Sequence, residues 1–326
     1  MSALDAEFAA IMDGQVAHED VKAFLSRTIP LMADPGALAA GARALRARML
    51  PVKAPEGAID VCGTGGDGAH TLNISTAVAL VAAGAGACVA KHGNRAMSSK
   101  SGGADVLEAL GVKLTGDAAT LERCLADARI AFLFAQNHHP AMRHVAAARK
   151  ELGQRTIFNL LGPLSNPAGV KRQLVGVFAP EWAKPMAAAL QELGAESAWV
   201  VHGAGGLDEL AVADGNFVVA LAQGALHETT LDLSDPDAAH DPTRLRGGDA
   251  AENAKALRAL LEGQSDNHAY RDAVLVNAAA ALVVSGVAEH LKEGYARAKA
   301  ALESRAAVTA LNKLIAITHS SPGGAP

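Results

Sequence analysis

In the stretch Asp60-Val-Cys-Gly-Thr-Gly-Gly-Asp-Gly-Ala-His-Thr-Leu-Asn-Ile-Ser-Thr76, four glycines, Gly63, Gly65, Gly66 and Gly68, directly follow a short apolar run. Glycine turns expose backbone N–H groups, and Asn73, Ser75 or Thr76 can start the helix that follows, whose dipole adds positive potential. A loop of this kind takes phosphate or pyrophosphate. The spacing Gly63-Thr-Gly65-Gly-Asp-Gly68 also fits a dinucleotide-binding turn. Ala69 to Leu72 nevertheless separate the glycines from the helix, and the next strand-like run ends in Lys91, where a dinucleotide site wants an acid. No Gly-Lys-Ser/Thr stands at the spacing of a P-loop. Further along, the adjacent acids Asp208 and Glu209 follow Gly203, Gly205 and Gly206. A bare Asp-Glu pair reads as a solvated turn, whereas beside a phosphate site it reads as ligation of magnesium, which needs only one or two protein carboxylates.

The elements that must position these groups follow from periodicity. Residues 3–50 are helical in pattern, with Phe8, Ile11 and Met12 on one face, then Val21, Phe24, Leu25 and Ile29, and with Pro35 opening a third helix. Pro51 to Gly57 reads as a linker. Strand-like runs at 58–62, 86–90, 130–135, 174–178, 198–202 and 216–221 then alternate with helices, which implies βαβ units and a largely parallel sheet. Residues 250–318 read as helices covering that sheet, with the Ala278–Ala281 run in a buried helix. The expected fold is α/β: a small N-terminal helical domain, 1–56 completed by roughly 138–170, and a larger domain, 57–326, with a mostly parallel central sheet flanked by helices.

Composition narrows the class. Half of the 326 residues are hydrophobic but only 3% are aromatic and 19% charged, so small aliphatic side chains must fill the interior. A formal net charge of −5 and the lack of a polybasic block argue against nucleic acid as a partner. Cys62, Cys88 and Cys124 are far apart with no CxxC spacing, and are expected to be reduced core residues of a cytoplasmic protein. Acids near the N-terminus argue against a secretory signal. The charge-free run from Thr71 to Ala90 is long enough to span a bilayer. Its Asn73, Ser75, Thr76, Gly84 and Gly86 make it a buried helix and strand instead, so no membrane is expected.

Two further segments, Lys91-His-Gly-Asn-Arg-Ala-Met-Ser-Ser99 and Asn159-Leu-Leu-Gly-Pro-Leu-Ser-Asn-Pro167, accompany the glycine loop. So do His139-Pro-Ala-Met142, Arg149-Lys-Glu-Leu-Gly153, Gly206-Leu-Asp-Glu-Leu210 and Arg246-Gly-Gly-Asp-Ala-Ala-Glu-Asn253. Together, from about Phe8 to about Ile317, they resemble the anthranilate phosphoribosyltransferase family, which joins anthranilate to the ribose of phosphoribosyl pyrophosphate (PRPP) in tryptophan biosynthesis. The resemblance implies PRPP contacts at Gly63, Thr64, Gly65, Gly66, Asp67, Thr71, Asn73, Ser75, Thr76, Lys91, Asn94 and Ser99. It implies an anthranilate site at Gly63, His92, Asn94, His139 and Arg149, with His139 and Arg149 at opposite ends of one helix. Metal ligation falls to Ser75, Asp208 and Glu209, with two magnesium ions per active site, and a homodimer is implied through the helical domain. Arg155 is the rival to Arg149, with a helix-end role as its alternative. Helix capping is the plain reading of Ser75 and Thr76, and both roles can hold at once. His138, His139 and His144 lack HExxH spacing, so no zinc site is expected.

The reaction implied is displacement at the ribose carbon with much dissociative character and no enzymic nucleophile. Two rivals differ in what they require. A pyrimidine nucleoside phosphorylase shares the architecture but binds free phosphate without the Asp-Glu pair, and a non-enzymatic nucleic-acid-binding relative requires a basic groove.

Overall fold

The computed structural model describes residues 2–96, 100–234 and 242–320. Three helices open the chain: α1 (Ala3–Met12), α2 (His18–Arg27) and α3 (Pro35–Arg46). Ser2 caps α1 in a reciprocal box with Asp5, and Asp34 caps α3 ahead of Pro35. The expected third helix thus stops at Arg46 rather than Leu50. The chain then alternates through β1 (Ile59–Gly63), α4 (Ile74–Gly84), β2 (Val89–Gly93), α5 (Gly103–Ala109), α6 (Ala118–Arg123) and β3 (Ile130–Phe134). The short helix α7 (Ala135–His138) leads to α8 (Arg143–Leu152) and α9 (Phe158–Leu161), before β4 (Arg172–Gly176), α10 (Ala183–Glu192), β5 (Ser197–His202), β6 (Asn216–Ala222) and β7 (Ala225–Leu231). Helices α11 (Ala250–Leu261), α12 (His268–Ser285), α13 (Leu291–Glu303) and α14 (Ala306–His319) complete the described chain.

The sheet runs β3-β2-β1-β4-β5-β6-β7. Five strands are parallel, and β6 and β7 add an antiparallel edge. The β2 run is displaced from expectation: α4 keeps the chain helical to Gly84, and the ladder with β3 begins at Val89↔Ile130, so Lys91 lies inside the strand. Strand β4 is shifted the other way, two residues earlier than expected, in register with β1 from Ile59↔Arg172 to Gly63↔Gly176. Strand β7 had no counterpart in the sequence reading, because as an edge strand it is largely exposed and carries His227, Glu228 and two threonines.

This strand order contains a switch point. After β1 the chain moves outward through β2 and β3, then crosses back to lay β4 on the other side of β1. The loops leaving the carboxyl ends of β1 and β4 therefore diverge and open a crevice between them.

One face of the sheet packs on α4 and α12–α14 in a core built from Ile, Val, Leu and Ala, including the buried Ala278–Ala281 run. The opposite core joins α10 and the sheet to α1–α3, α8 and α9 without a break. Phe8 anchors that second core edge-on between Phe24, at 4.9 Å, and Phe158, at 6.0 Å. Each such aromatic pair contributes roughly 0.5–1.5 kcal/mol beyond area burial. Cys62, Cys88 and Cys124 are free and buried. No described helix is long and apolar enough to cross a membrane.

Candidate active site

A cleft of about 770 Å³ opens over the β1–β4 switch point. Its wall includes Gly63, Thr64, Gly65, Gly66, Asp67, Thr71, Asn73 and Ser75 from the glycine loop and the start of α4. Lys91, His92 and Asn94 come from β2 and the residue just after it, and Asp208 and Glu209 from the loop after β5. Of the other residues picked from sequence, Thr76 is buried within the first turn of α4, His139 and Arg149 lie outside the cleft wall, and Ser99 lies outside the described residues.

The glycine loop is held from several sides. Thr64 N–H donates to Gly176 O at 2.9 Å, and Phe178 N–H donates back to Thr64 Oγ1 at 3.1 Å. At its far end Leu72 N–H donates to Leu245 O and Gly247 N–H to His70 O, while Asn253 Nδ2 donates to Asn73 Oδ1 at 2.9 Å. The Arg246–Asn253 motif therefore clamps the end of the loop from α11. Asn73 stands at the N-cap of α4 without a side-chain capping bond. The helix start is capped from another element: Ser75 N–H donates to Glu209 Oε1 at 2.9 Å, and Gly65 N–H donates to Asp208 Oδ2 at 2.9 Å. Both carboxylates thus meet the N–H groups that make the loop an anion cradle.

Small residues and buried amides bring the acids there. A Cβ on Gly176 would lie 1.4 Å from Asp208 O, and one on Gly203 would lie 1.9 Å from Glu209 O, so only glycine lets the 208–209 backbone descend onto the strand ends. Asn277, buried in α12, accepts from Leu210 N–H at 2.9 Å and donates to Leu210 O at 2.8 Å. Asn216 accepts from Ala211 N–H at 2.7 Å. Desolvation, then the charge of nearby Asp67, raises Asp208 to about 7, and desolvation followed by Asp208 raises Glu209. Lys91 donates from Nζ to Val61 O at 2.6 Å and Ser75 Oγ at 3.2 Å, and burial lowers its pKa against the pull of Asp60. Carboxylates and a hydroxyl make an oxygen-only donor set suited to a hard divalent cation.

On the helical side, His92 and His139 rings lie 5.1 Å apart, and His92 Nδ1 faces Gly162 O at 3.2 Å. The His139 ring is buried, with the Ser165 backbone beside it. Burial, then His139, lowers His92 to about 3; burial, then His138, lowers His139 to about 4, so both are neutral at pH 7. His139 closes α7 and does not share a helix with Arg149, because Pro140 interrupts the chain before α8 begins. Arg149 lies 5.8 Å over the Phe158 ring, with no carboxylate partner among the described residues, and burial lowers its pKa. Arg155 is on the cleft wall, together with Asn159 and Phe178.

A pH dependence follows from the two histidines. Unfolding returns them to a pKa near 6.5, so below that value the unfolded chain binds more protons and stability falls as pH drops toward the folded values. The expected slope is on the order of 1 kcal/mol per pH unit per histidine. Urea unfolding between pH 7 and pH 5 measures it, and His139→Gln should remove part of the slope; an unchanged slope would contradict a neutral buried His139.

Comparison with known proteins bears on the same geometry. The model of the glycosyl transferase family, a/b domain, matches residues 55–308. The anthranilate phosphoribosyltransferase of Brucella suis biovar 1 (strain 1330) is 50% identical, across 97% of this chain and 93% of that protein. The chain belongs to the anthranilate phosphoribosyltransferase family. The Brucella canis family member is also 50% identical with the same coverage. Among solved structures, the Thermus thermophilus anthranilate phosphoribosyltransferase is 41% identical with a TM-score of 0.89, covering 97% of this chain and 95% of that one. The Saccharomyces cerevisiae anthranilate phosphoribosyltransferase in complex with PRPP and Mg is 29% identical with a TM-score of 0.86, covering 97% of this chain and 92% of that one.

Residues absent from the sequence reading of this family member include Gly176, Asn216 and Asn277. Their partners lie along other elements of the chain, so no local pattern marks them. For His139 a signal was present, since Pro140 disfavours helix at the residue before it.

Proposed function

We propose that the cleft over the β1–β4 switch point is where the family's reaction takes place. The chain transfers the 5-phosphoribosyl group of PRPP to the amine of anthranilate with release of pyrophosphate, the second step of tryptophan biosynthesis from chorismate. In this reading the Gly63–Asp67 loop and the positive end of the α4 dipole hold the anionic groups of PRPP. Thr71, Asn73, Thr76, Lys91, Asn94 and Ser99 complete its contacts. The enzyme uses magnesium, and Asp208, Glu209 and Ser75 are the residues that would hold it, two ions per site. Bound there, magnesium supplies charge to the leaving diphosphate.

The observation that carries this assignment is the meeting of Asp208 and Glu209 with Gly65 N–H and Ser75 N–H. It supports one site shared by anion cradle and acids, which a phosphorylase binding free phosphate does not require. Arg149 is assigned the anthranilate carboxylate: its guanidinium, desolvated and without a carboxylate of its own among the described residues, is matched to a planar anion. Gly63, His92, Asn94 and His139 line the path of the ring. The neutral histidines offer it an apolar face and exclude water, which competes for the ribosyl carbon. No side chain serves as nucleophile. The helical domain, 1–56 with 138–170, and the 57–326 domain close over the substrates. A cytoplasmic homodimer through the helical domain completes the reading, with the dimer testable by sedimentation velocity.

PRPP-dependent loss of anthranilate fluorescence tests the activity. Arg149→Ala should raise KM for anthranilate far more than KM for PRPP, because losing an ionic hydrogen-bond partner costs on the order of 1.5–3 kcal/mol. Equal rises for both substrates would assign Arg149 elsewhere.

A further inference from the structure

We propose that Arg155 is a positioning residue that latches the glycine loop to the segment between α8 and α9. Its Nη2 donates to Gly66 O at 2.6 Å, and its guanidinium carbon stands 3.8 Å from the centroid of the Phe178 ring. Charge-assisted bonding to a carbonyl and a close cation–π contact fix the same planar group from two directions. Gly66 permits the approach: its φ is 78°, and an added Cβ would come within 3.3 Å of Nη2.

Phe178 is itself tied to the loop, since its N–H donates to Thr64 Oγ1 and Thr64 N–H donates to Gly176 O. Thr64, Phe178, Arg155 and Gly66 therefore close a circuit in which a residue from the segment joining two helices holds the loop that turns over the switch point. The charges agree. Arg95 is paired with Asp105 and Glu108, and Lys91 is buried on Val61 O and Ser75 Oγ. Arg155 is exposed and has a carbonyl and a ring but no carboxylate among the described residues, so its charge is not cancelled where the loop takes an anion. The consequence for catalysis rests on the reading of this loop as the PRPP site.

Two measurements test the latch. Hydrogen exchange of residues 63–70 in the free protein should quicken in Arg155→Ala, with circular dichroism unchanged; unchanged exchange would overturn the latch whatever the loop binds. In turnover, Arg155→Ala should raise KM for PRPP by about tenfold or more while KM for anthranilate stays within about twofold. A rise confined to anthranilate would overturn the proposal and make Arg155 a carboxylate ligand. Arg155→Lys should behave like Arg155→Ala, because an ammonium cannot stack and bond as a planar fork does; wild-type behaviour would refute it. Phe178→Leu should quicken the same exchange and add little to Arg155→Ala, whereas full additivity would break the circuit. If the wild type shows no PRPP-dependent loss of anthranilate, the functional reading fails while the exchange comparison still decides the latch.

Discussion

Replacing Asp208 by Asn and Glu209 by Gln together is expected to lower kcat/KM by about 100-fold to 1000-fold, because charge stabilisation of the departing diphosphate is worth several kcal/mol. Size is conserved, so the loop should stay in place, and the free protein should not lose stability. The sign is set by the raised pKa values of both acids: the folded chain holds their protons more tightly than the unfolded chain, so ionising them as pH rises costs stability. Neutral amides remove that cost, and the thermal midpoint at pH 8 should hold or rise. Activity should return in part at high magnesium, since PRPP itself supplies much of the coordination. Normal turnover by the double variant at limiting magnesium would remove both acids from the metal role.

Gly176→Ala is expected to abolish measurable turnover without replacing any residue assigned to substrate or metal. Its Cβ would fall 1.4 Å from Asp208 O, well inside van der Waals contact, so the 208–209 backbone must lift away from the strand end. A displacement of about 1 Å in a catalytic group costs on the order of 100-fold, and here both acids move together. Overpacking should also remove about 1–3 kcal/mol of stability. Calorimetry separates the two effects: a folded variant with a lowered midpoint and no activity is the expected outcome, and a folded variant with wild-type kcat would show that the close approach does not position the acids.

Much of the fold was legible because its signals are local. Apolar runs alternating with helical stretches announced the α/β sheet, and Val, Ile and Ala between Thr71 and Ala90 resolved into α4 and β2. Errors fell where a partner sets the answer. The ladder with β3, rather than the apolar run ending at Ala90, fixes where β2 begins and leaves Lys91 inside it. Strand β7 is largely polar and among the described residues pairs with β6 alone, so nothing in Ala225–Leu231 announces a strand until its neighbour is in place.

Chemistry divides along the same line. By itself the sequence determined the residue types and their order: glycines after a strand, paired acids after another, an arginine and histidines between them, and through their motifs the family. Tertiary structure alone decided which of these meet. Asp208 lies 143 positions from Gly65, and Glu209 lies 134 from Ser75, yet each accepts a hydrogen bond from that partner. The reason is steric and topological: the reversal of strand order at β1 and β4 opens the crevice, and Gly176 and Gly203 give the acid-bearing backbone room to reach its floor.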